Sequence, residues 1–298
     1  MRKFITFDWA LKRLLRNKAN FVVLEGFLSE LLRQDVKIDR FLESEGNKEY
    51  ARDKSNRVDI MCEDGQGRKI IIEVQYERQY SYFYRMLYGT SKAVTEYIDE
   101  GQGYEKVTKV YSVNIVYFDL GQGTDYVYHG KTVFRGLHDD DELLLSDKQR
   151  ALFGGNAPAD LMPEYYVLKV NGFNDVARDT LDEWISFLKT GDIPEHATAK
   201  GLAEAREKLR VSNLSDDERR DYYRELERQM VENDVMKSKY IDGVDEGIRQ
   251  GMEAGIRQGI KEGEHNEKLK IARSLKGKVP VALIMESTGL TEDEVAAL

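Results

Sequence analysis

The sequence predicts an α/β or α+β domain over roughly the first 190 residues, followed by a charged helical extension. Segments with helical spacing of apolar residues alternate with β-prone runs in the first part. From about residue 200 the chain becomes highly charged and helix-prone. Glycine then recurs at every fourth position from 243 to 263. We therefore predict two domains, spanning residues 1–195 and 196–298.

Composition favours a cytoplasmic protein. The single cysteine, Cys62, excludes an intramolecular disulfide framework and suits a reducing compartment. The first residues lack an apolar signal core, and the chain has no long uncharged apolar run. These features predict neither export nor a membrane span.

The net charge of −9 is unevenly distributed. Residues 1–100 carry 18 basic and 17 acidic side chains, whereas the whole chain carries 45 and 54. The N-terminal third therefore permits a basic face towards phosphates, and the acidic remainder does not favour one. Charge alone permits nucleic-acid binding without supporting it.

The first predicted elements are helices within residues 4–33. Apolar residues recur there at helical spacing, with a plausible break between Asn17 and Asn20. Lys12 belongs to the polar side of the first segment. Asp8 near its start is either an additional acid of a functional site or a charge that complements the helix dipole.

A β-hairpin is predicted next, from the runs RVDIMC and KIIIEVQY. The turn-rich segment EDGQGR separates them and is centred on Gln66. This register places Ile60 opposite Ile72 and Asp59 opposite Glu73. Side chains alternate along a strand, so Glu73 and Gln75 project from the same face as Asp59.

That polar face predicts a metal site. Two carboxylates a few ångströms apart repel each other unless a cation or a proton lies between them. A hard divalent ion such as Mg²⁺ accepts oxygen ligands and usually takes one or two protein carboxylates. Asp59 and Glu73 supply these, and the backbone carbonyl of Val74 supplies a further ligand. The alternative is an edge hairpin with one solvated face, on which such residues are common.

Further elements complete the predicted domain. Residues 76–97 have helical spacing, and Arg85 and Tyr88 lie one turn apart on that helix. Arg85 favours phosphate contact, whereas Tyr88 favours packing against the sheet. Strands are predicted in VYSVNIVYFDL, in TDYVYHGKTVF as a strand or a hairpin, and in EYYVLKVNGF, and a helix in LDEWISFLK.

The glycine repeat is costly for a helix. Six glycines disfavour it by on the order of 5 kcal/mol relative to alanine, at about 1 kcal/mol each. A partner that accepts close backbone approach offsets this cost, which predicts a homo-oligomer or a spacer. The alternative is a linker with partial helicity. In the tail, Thr291 is a predicted helix N-cap with Glu294 three residues on.

Several of these segments together resemble the PD-(D/E)xK nuclease superfamily, and within it the recombination-promoting nuclease (Rpn) and transposase family. FDWALKRLL resembles the family's opening motif, with Asp8 and Lys12 in place and leucines at its aromatic positions. VDIMCEDGQGRKIIIEVQ resembles its hairpin, and FYRMLYGTSKAV its Arg-x-x-Tyr helix. The resemblance covers most of the chain, and the order and spacing of the motifs are its strongest signal.

The resemblance implies a restriction-endonuclease-like α/β core, in which helices flank a mixed central sheet. It also implies Mg²⁺ or Mn²⁺ as cofactor, with Asp59 and Glu73 as metal ligands. Gln75 stands where the superfamily keeps a catalytic lysine, so the amide hydrogen-bonds water but carries no charge. Arg57, opposite Gln75 in the predicted register, is a candidate substitute cation.

The predicted function is a metal-dependent DNA endonuclease linked to recombination or mobile elements. Its catalytic residues are Asp59, Glu73 and Gln75, with Asp8 as an additional acid. The residues predicted to contact nucleic acid are Arg57, Arg85 and Lys12. The alternative is a catalytically silent fold of this kind that binds nucleic acid or mediates assembly through its helical extension.

Overall fold

A computed structural model describes residues 4–13, 17–42, 59–97 and 103–298. The strands are β1 (Ile38–Leu42), β2 (Ile60–Asp64), β3 (Lys69–Gln75), β4 (Val110–Val116), β5 (Val127–Lys131) and β6 (Glu164–Lys169). The helices are α1 (Phe7–Arg13), α2 (Phe21–Leu32), α3 (Tyr82–Glu96), α4 (Asp147–Phe153), α5 (Thr180–Thr190), α6 (Leu202–Lys208), α7 (Asp216–Leu275), α8 (Val281–Thr288) and α9 (Glu292–Ala296). Short 3-10 helices connect several of them.

The strands form one mixed sheet in the order β1-β2-β3-β4-β6-β5. The first three strands pair antiparallel, β3, β4 and β6 run parallel, and β5 returns antiparallel along β6. The central strand β4 is buried along its whole length, as expected for a parallel strand covered on both faces. The predicted α/β class with a mixed central sheet is therefore confirmed.

The hairpin has the predicted register. Ile60 pairs with Ile72, and Cys62 pairs with Ile70. The turn closes where Asp64 N–H donates to the Arg68 carbonyl (3.0 Å). Val58, predicted to face Val74, lies outside the described residues. The hairpin is not a sheet edge, because β1 pairs with one side of it and β4 with the other.

Helices cover both faces of the sheet. The Tyr82 hydroxyl of α3 donates to Asn114 Oδ1 of β4 (3.2 Å), which places α3 on the face of Asn114 and Glu73. On the opposite face the Tyr117 hydroxyl, just after β4, donates to the Leu188 carbonyl of α5 (2.9 Å). The alternative of a solvated polar face on the hairpin is therefore wrong, since α3 packs over it.

Some elements differ from the sequence prediction. The predicted break after α1 is present as a 3-10 helix at Lys18–Asn20, capped by the Asn17 side chain. Neither β1 nor α4 was predicted. β1 was missed because its sequence IDRFL carries two charges and its partner β2 is distant in sequence. Residues 124–134 contain one strand, β5, and not a hairpin.

The chain forms two compact units, Met1–Tyr222 and Tyr223–Leu298. Residues beyond 195 contribute to the first unit. The Ile5 amide donates to the Leu209 carbonyl (2.7 Å). Gly26 of α2 packs so closely on the backbone at Gly201 that a Cβ at Gly26 would lie 2.5 Å from the Gly201 Cα. The functional boundary at 195/196 remains a prediction.

The second unit contains most of α7, together with α8 and α9. A small core joins these helices, formed by Ala272, Ile284, Leu290 and Val295. Thr291 caps α9, with Glu294 completing a capping box, as predicted. All six repeat glycines lie within the continuous 60-residue helix α7, where an added Cβ would meet nothing within 4 Å. Among the helices of the described residues, none has the length and apolar character that crossing a bilayer requires.

Candidate active site

The predicted site lies where β2 begins and β3 ends. Glu73 and Gln75 occupy alternate positions at the end of β3, and Asp59 immediately precedes β2. The Asp59 carboxylate accepts a hydrogen bond from the Val74 amide through Oδ2 (2.8 Å). Asp59 is thus fixed on the backbone of the residue that follows Glu73, and its charge acts on Glu73. The structure brings the two predicted metal ligands together.

Glu73 is the most unusual group of the site. Only 4% of the residue is exposed to solvent. Burial raises the pKa of Glu73 to about 7; the Arg85 guanidinium opposes this rise, and the negative charge of Asp59 adds to it. Burial and a neighbouring carboxylate both disfavour the ionised form of Glu73, and the Arg85 guanidinium offsets only part of their effect. Such a perturbed pKa beside a specific charge partner is typical of functional sites.

Arg85 approaches the site from α3. Its Nε lies 3.2 Å from Glu73 Oε2. This is an ionic contact and not a hydrogen bond, because the two atoms lack hydrogen-bond alignment. Arg85 Nη1 also donates, at 3.4 Å each, to the amide oxygens of Gln75 and Gln79. A cation therefore stands next to Gln75, although it comes from a helix and not from the strand.

Two further residues complete the surroundings and were not predicted. Tyr82 is fully buried on α3, and its hydroxyl donates to Asn114 Oδ1 (3.2 Å). Asn114, 1% exposed, donates in turn to the carbonyls of Ser112 (3.1 Å) and Tyr166 (3.3 Å). An asparagine within the otherwise apolar run VYSVNIVYF was the sequence signal for this buried network.

The structure describes only part of the remaining predicted site residues. Asp8 is buried on α1, with 3% exposure. Lys12 lies on the same helix, but its side chain is outside the described part of the chain, as is Arg57. The roles of these three residues, and that of the Val74 carbonyl, remain predictions.

The donor set fits a hard divalent ion. Among the described residues, no three His, Cys, Asp or Glu side chains form a cluster that suits a metal. Mg²⁺ does not require one, because one or two carboxylates suffice and water and phosphate oxygens fill its other positions. The buried Glu73 carboxylate beside Asp59 is such a pair.

Metal-free protein should become less stable as pH rises. The pKa of Glu73 in the fold, about 7, exceeds its ordinary value of 4.5, so the folded state holds this proton more tightly than the unfolded chain does. The contribution of Glu73 to the free energy of unfolding is therefore full below pH 4.5 and is lost as pH rises to about 7. Urea denaturation in EDTA across this range measures it. Glu73→Gln should make the free energy of unfolding less dependent on pH. If it changes with pH equally in both proteins, Glu73 is not the group with the raised pKa.

A family model matches most of this chain. No curated protein and no solved structure matches the chain. The family model described as PD-(D/E)XK nuclease family transposase matches residues 5–239, which include the whole sheet and the candidate site. The predicted resemblance and fold class are thereby confirmed: the chain belongs to the PD-(D/E)XK nuclease family transposases.

Proposed function

We propose that this chain is a Mg²⁺- or Mn²⁺-dependent DNA endonuclease, associated with recombination or mobile elements. The observation that carries the proposal is the buried Glu73 carboxylate, held beside Asp59 and in ionic contact with Arg85. Family membership supports a nuclease- or transposase-like role, and the site residues support metal-assisted hydrolysis in particular.

Asp59 and Glu73 would hold the metal, with the Val74 carbonyl as a further ligand. The ion would supply positive charge that activates water and stabilises the charge developing on a phosphodiester. The hydrogen bond from the Val74 amide (2.8 Å) orients the Asp59 carboxylate. Helix α3 packs over this face of the sheet and excludes water from Glu73. Both effects fix the two carboxylates before substrate arrives, as preorganised catalysis requires.

Gln75 and Arg85 together would replace the superfamily lysine. The Gln75 amide orients a water molecule by hydrogen bonding, and the Arg85 guanidinium, 3.4 Å away, supplies the charge that the amide lacks. Arg57, proposed from the sequence for this role, and Lys12 would contact the phosphates of the DNA. Asp8 would act as an additional acid.

The second candidate is a silent fold that serves in nucleic-acid binding or assembly. The uncharged Gln75 at the position of the lysine favours it. Plasmid nicking with Mg²⁺, with Mn²⁺ and with EDTA distinguishes the two functions. The nuclease proposal requires nicking that depends on the metal and is lost in Asp59→Asn. DNA binding without nicking, unchanged by the metal and by Asp59→Asn, would favour the silent fold.

We also propose that α7 associates with a second copy of the chain. The repeat glycines leave its backbone open, and the residues that follow them are exposed and apolar: Val244, Ile248, Met252, Ile256 and Ile260. Substitution of Gly247, Gly251 and Gly255 by alanine should stabilise the helix by about 1 kcal/mol per site and so raise its helix content. The added methyl groups should block close approach of a second helix and weaken the dimer. Sedimentation and circular dichroism measure both. A triple variant with unchanged association would contradict the proposal.

A further inference from the structure

Helix α3 has an aromatic face that the fold does not use. This face comprises Tyr80, Phe83, Tyr84, Leu87 and Tyr88, with Tyr80 just before the helix. Their exposed fractions are 93%, 55%, 77%, 56% and 51%, respectively. Tyr88, expected to pack against the sheet, is therefore not part of the core. Adjacent large apolar side chains exposed to this degree mark a binding surface.

The core requires only the other side of α3. The buried residues of the helix are Tyr82, Met86, Gly89, Thr90 and Ala93, which recur at helical spacing. Tyr82 and Met86 pack with Val116, Phe118 and Val167, so this side alone attaches the helix to the sheet. The aromatic face points the opposite way. Its side chains are largely exposed to solvent.

The aromatic face adjoins the candidate site. Arg85, which contacts Glu73, directly follows Tyr84 and lies one turn from Tyr88 on the same helix. On the other side of the helix, Phe83 and Leu87 border a cavity of about 400 Å³. The sheet side of the cavity is formed by Tyr128, His129, Gly130, Tyr165 and Val167. A chain that crosses the aromatic face thus reaches the carboxylates at one edge and an apolar cavity at the other.

Charge and spacing favour nucleobases on this surface. Tyr84 and Tyr88 are four residues apart, or about 6 Å along α3, which leaves room for bases stacked about 3.4 Å apart; Tyr80 lies just before the helix. Arg78, which is half exposed, and Arg85 flank the face and suit the phosphates between such bases. Stacking on aromatic rings uses the π-face that every base has, so it adds to whatever the phosphate contacts supply.

We propose that the aromatic face of α3 stacks the bases of an unpaired DNA strand next to the cleavage site. The substrate of the proposed nuclease is then DNA with a single-stranded segment, and not uniform duplex. This inference rests on the proposed function for its cleavage step only. Duplex DNA presents no free base faces to the tyrosines, so only its phosphates would bind, and weakly on an acidic protein.

Binding of labelled single-stranded oligonucleotides and of duplexes of equal length, measured by fluorescence anisotropy in EDTA, tests the proposal. We expect tighter binding of the single strand than of the duplex. Tyr84→Ser should raise the Kd for the single strand about five- to hundredfold and leave that for the duplex unchanged. The matched control is Tyr104→Ser, because Tyr104 is 92% exposed and lies outside α3. It should bind like wild type.

Three results would overturn the proposal. The first is an equal loss of affinity of Tyr84→Ser for single strand and duplex, and the second is an equal loss of affinity in Tyr84→Ser and Tyr104→Ser. The third is a Tyr84→Ser variant that sediments differently but binds DNA like wild type. The last would identify the aromatic face as a protein interface. Because binding is read in EDTA, a chain that fails to cleave can still confirm the stacking surface. Conversely, cleavage of a single-stranded substrate at equal rates by wild type and Tyr84→Ser would refute the stacking surface and leave the nuclease intact.

Discussion

Asp59→Asn is expected to reduce metal-dependent plasmid nicking about a thousandfold. The amide keeps the size of the side chain but removes one of the two negative charges that would hold the ion. Loss of several kcal/mol of metal-derived transition-state stabilisation corresponds to a rate factor of this order, at about 1.4 kcal/mol per factor of ten. Initial rates of conversion from supercoiled to nicked plasmid, measured at several Mg²⁺ concentrations, give the result.

Glu73→Gln provides the matching variant on the other ligand. Activity should fall as far as in Asp59→Asn, whereas the metal-free protein above pH 7 should unfold at higher urea concentration than wild type. The reason is that ionisation of the buried Glu73 carboxylate, with its pKa of about 7, opposes folding there, and the neutral amide removes this penalty. A loss of activity with a gain of stability separates a functional role from simple misfolding.

The control for both variants is Asp192→Asn, which removes an exposed carboxylate after α5. It changes the net charge equally and should nick like wild type. If Asp59→Asn nicks as fast as Asp192→Asn, the metal assignment of this site is wrong. Nicking by wild type that persists in EDTA would contradict the metal requirement itself.

Arg85→Ala is expected to lower nicking about a hundredfold. The variant removes the guanidinium that contacts Glu73 (3.2 Å) and Gln75 (3.4 Å). The loss of one preorganised donor to developing charge typically costs a factor of a hundred to a thousand. Arg85→Lys keeps the charge and should recover part of the rate, measured by the same nicking assay.

A second readout distinguishes charge from packing. The Arg85 guanidinium lowers the pKa of Glu73, so Arg85→Ala should extend the pH-dependent loss of metal-free stability to higher pH. Arg135→Ala, at an exposed arginine in the loop after β5, should change neither stability nor rate. Full activity in Arg85→Ala would show that Arg85 does not supply the missing charge and would leave Arg57 as the candidate cation.

The hairpin shows what local sequence determines. Its register follows from the turn at Gln66 and from the alternation of apolar and polar residues, both of which are local signals. Ile60 opposite Ile72 was therefore predictable, and so was the shared face of Glu73 and Gln75. Thr291 as a helix N-cap depends likewise on a few adjacent residues.

The neighbours of the hairpin were not predictable in the same way. β1 joins β2 across a long stretch of chain, and its charged sequence gives no strand signal. The packing of α3 over the polar face depends on the whole sheet. It converts Glu73 from an ordinary surface carboxylate into a buried group with a raised pKa.

The sequence by itself determined the family, the strand register and the pair Asp59 and Glu73, because short motifs and alternation express them directly. Only the tertiary structure placed the Arg85 guanidinium beside Glu73 and Gln75. Arg85 lies ten residues from Gln75 in sequence, and the two meet because α3 folds back across β3 and β4. The same packing turned Tyr82 and Met86 inward and left Tyr80, Tyr84 and Tyr88 exposed, since a helix on a sheet buries one face only.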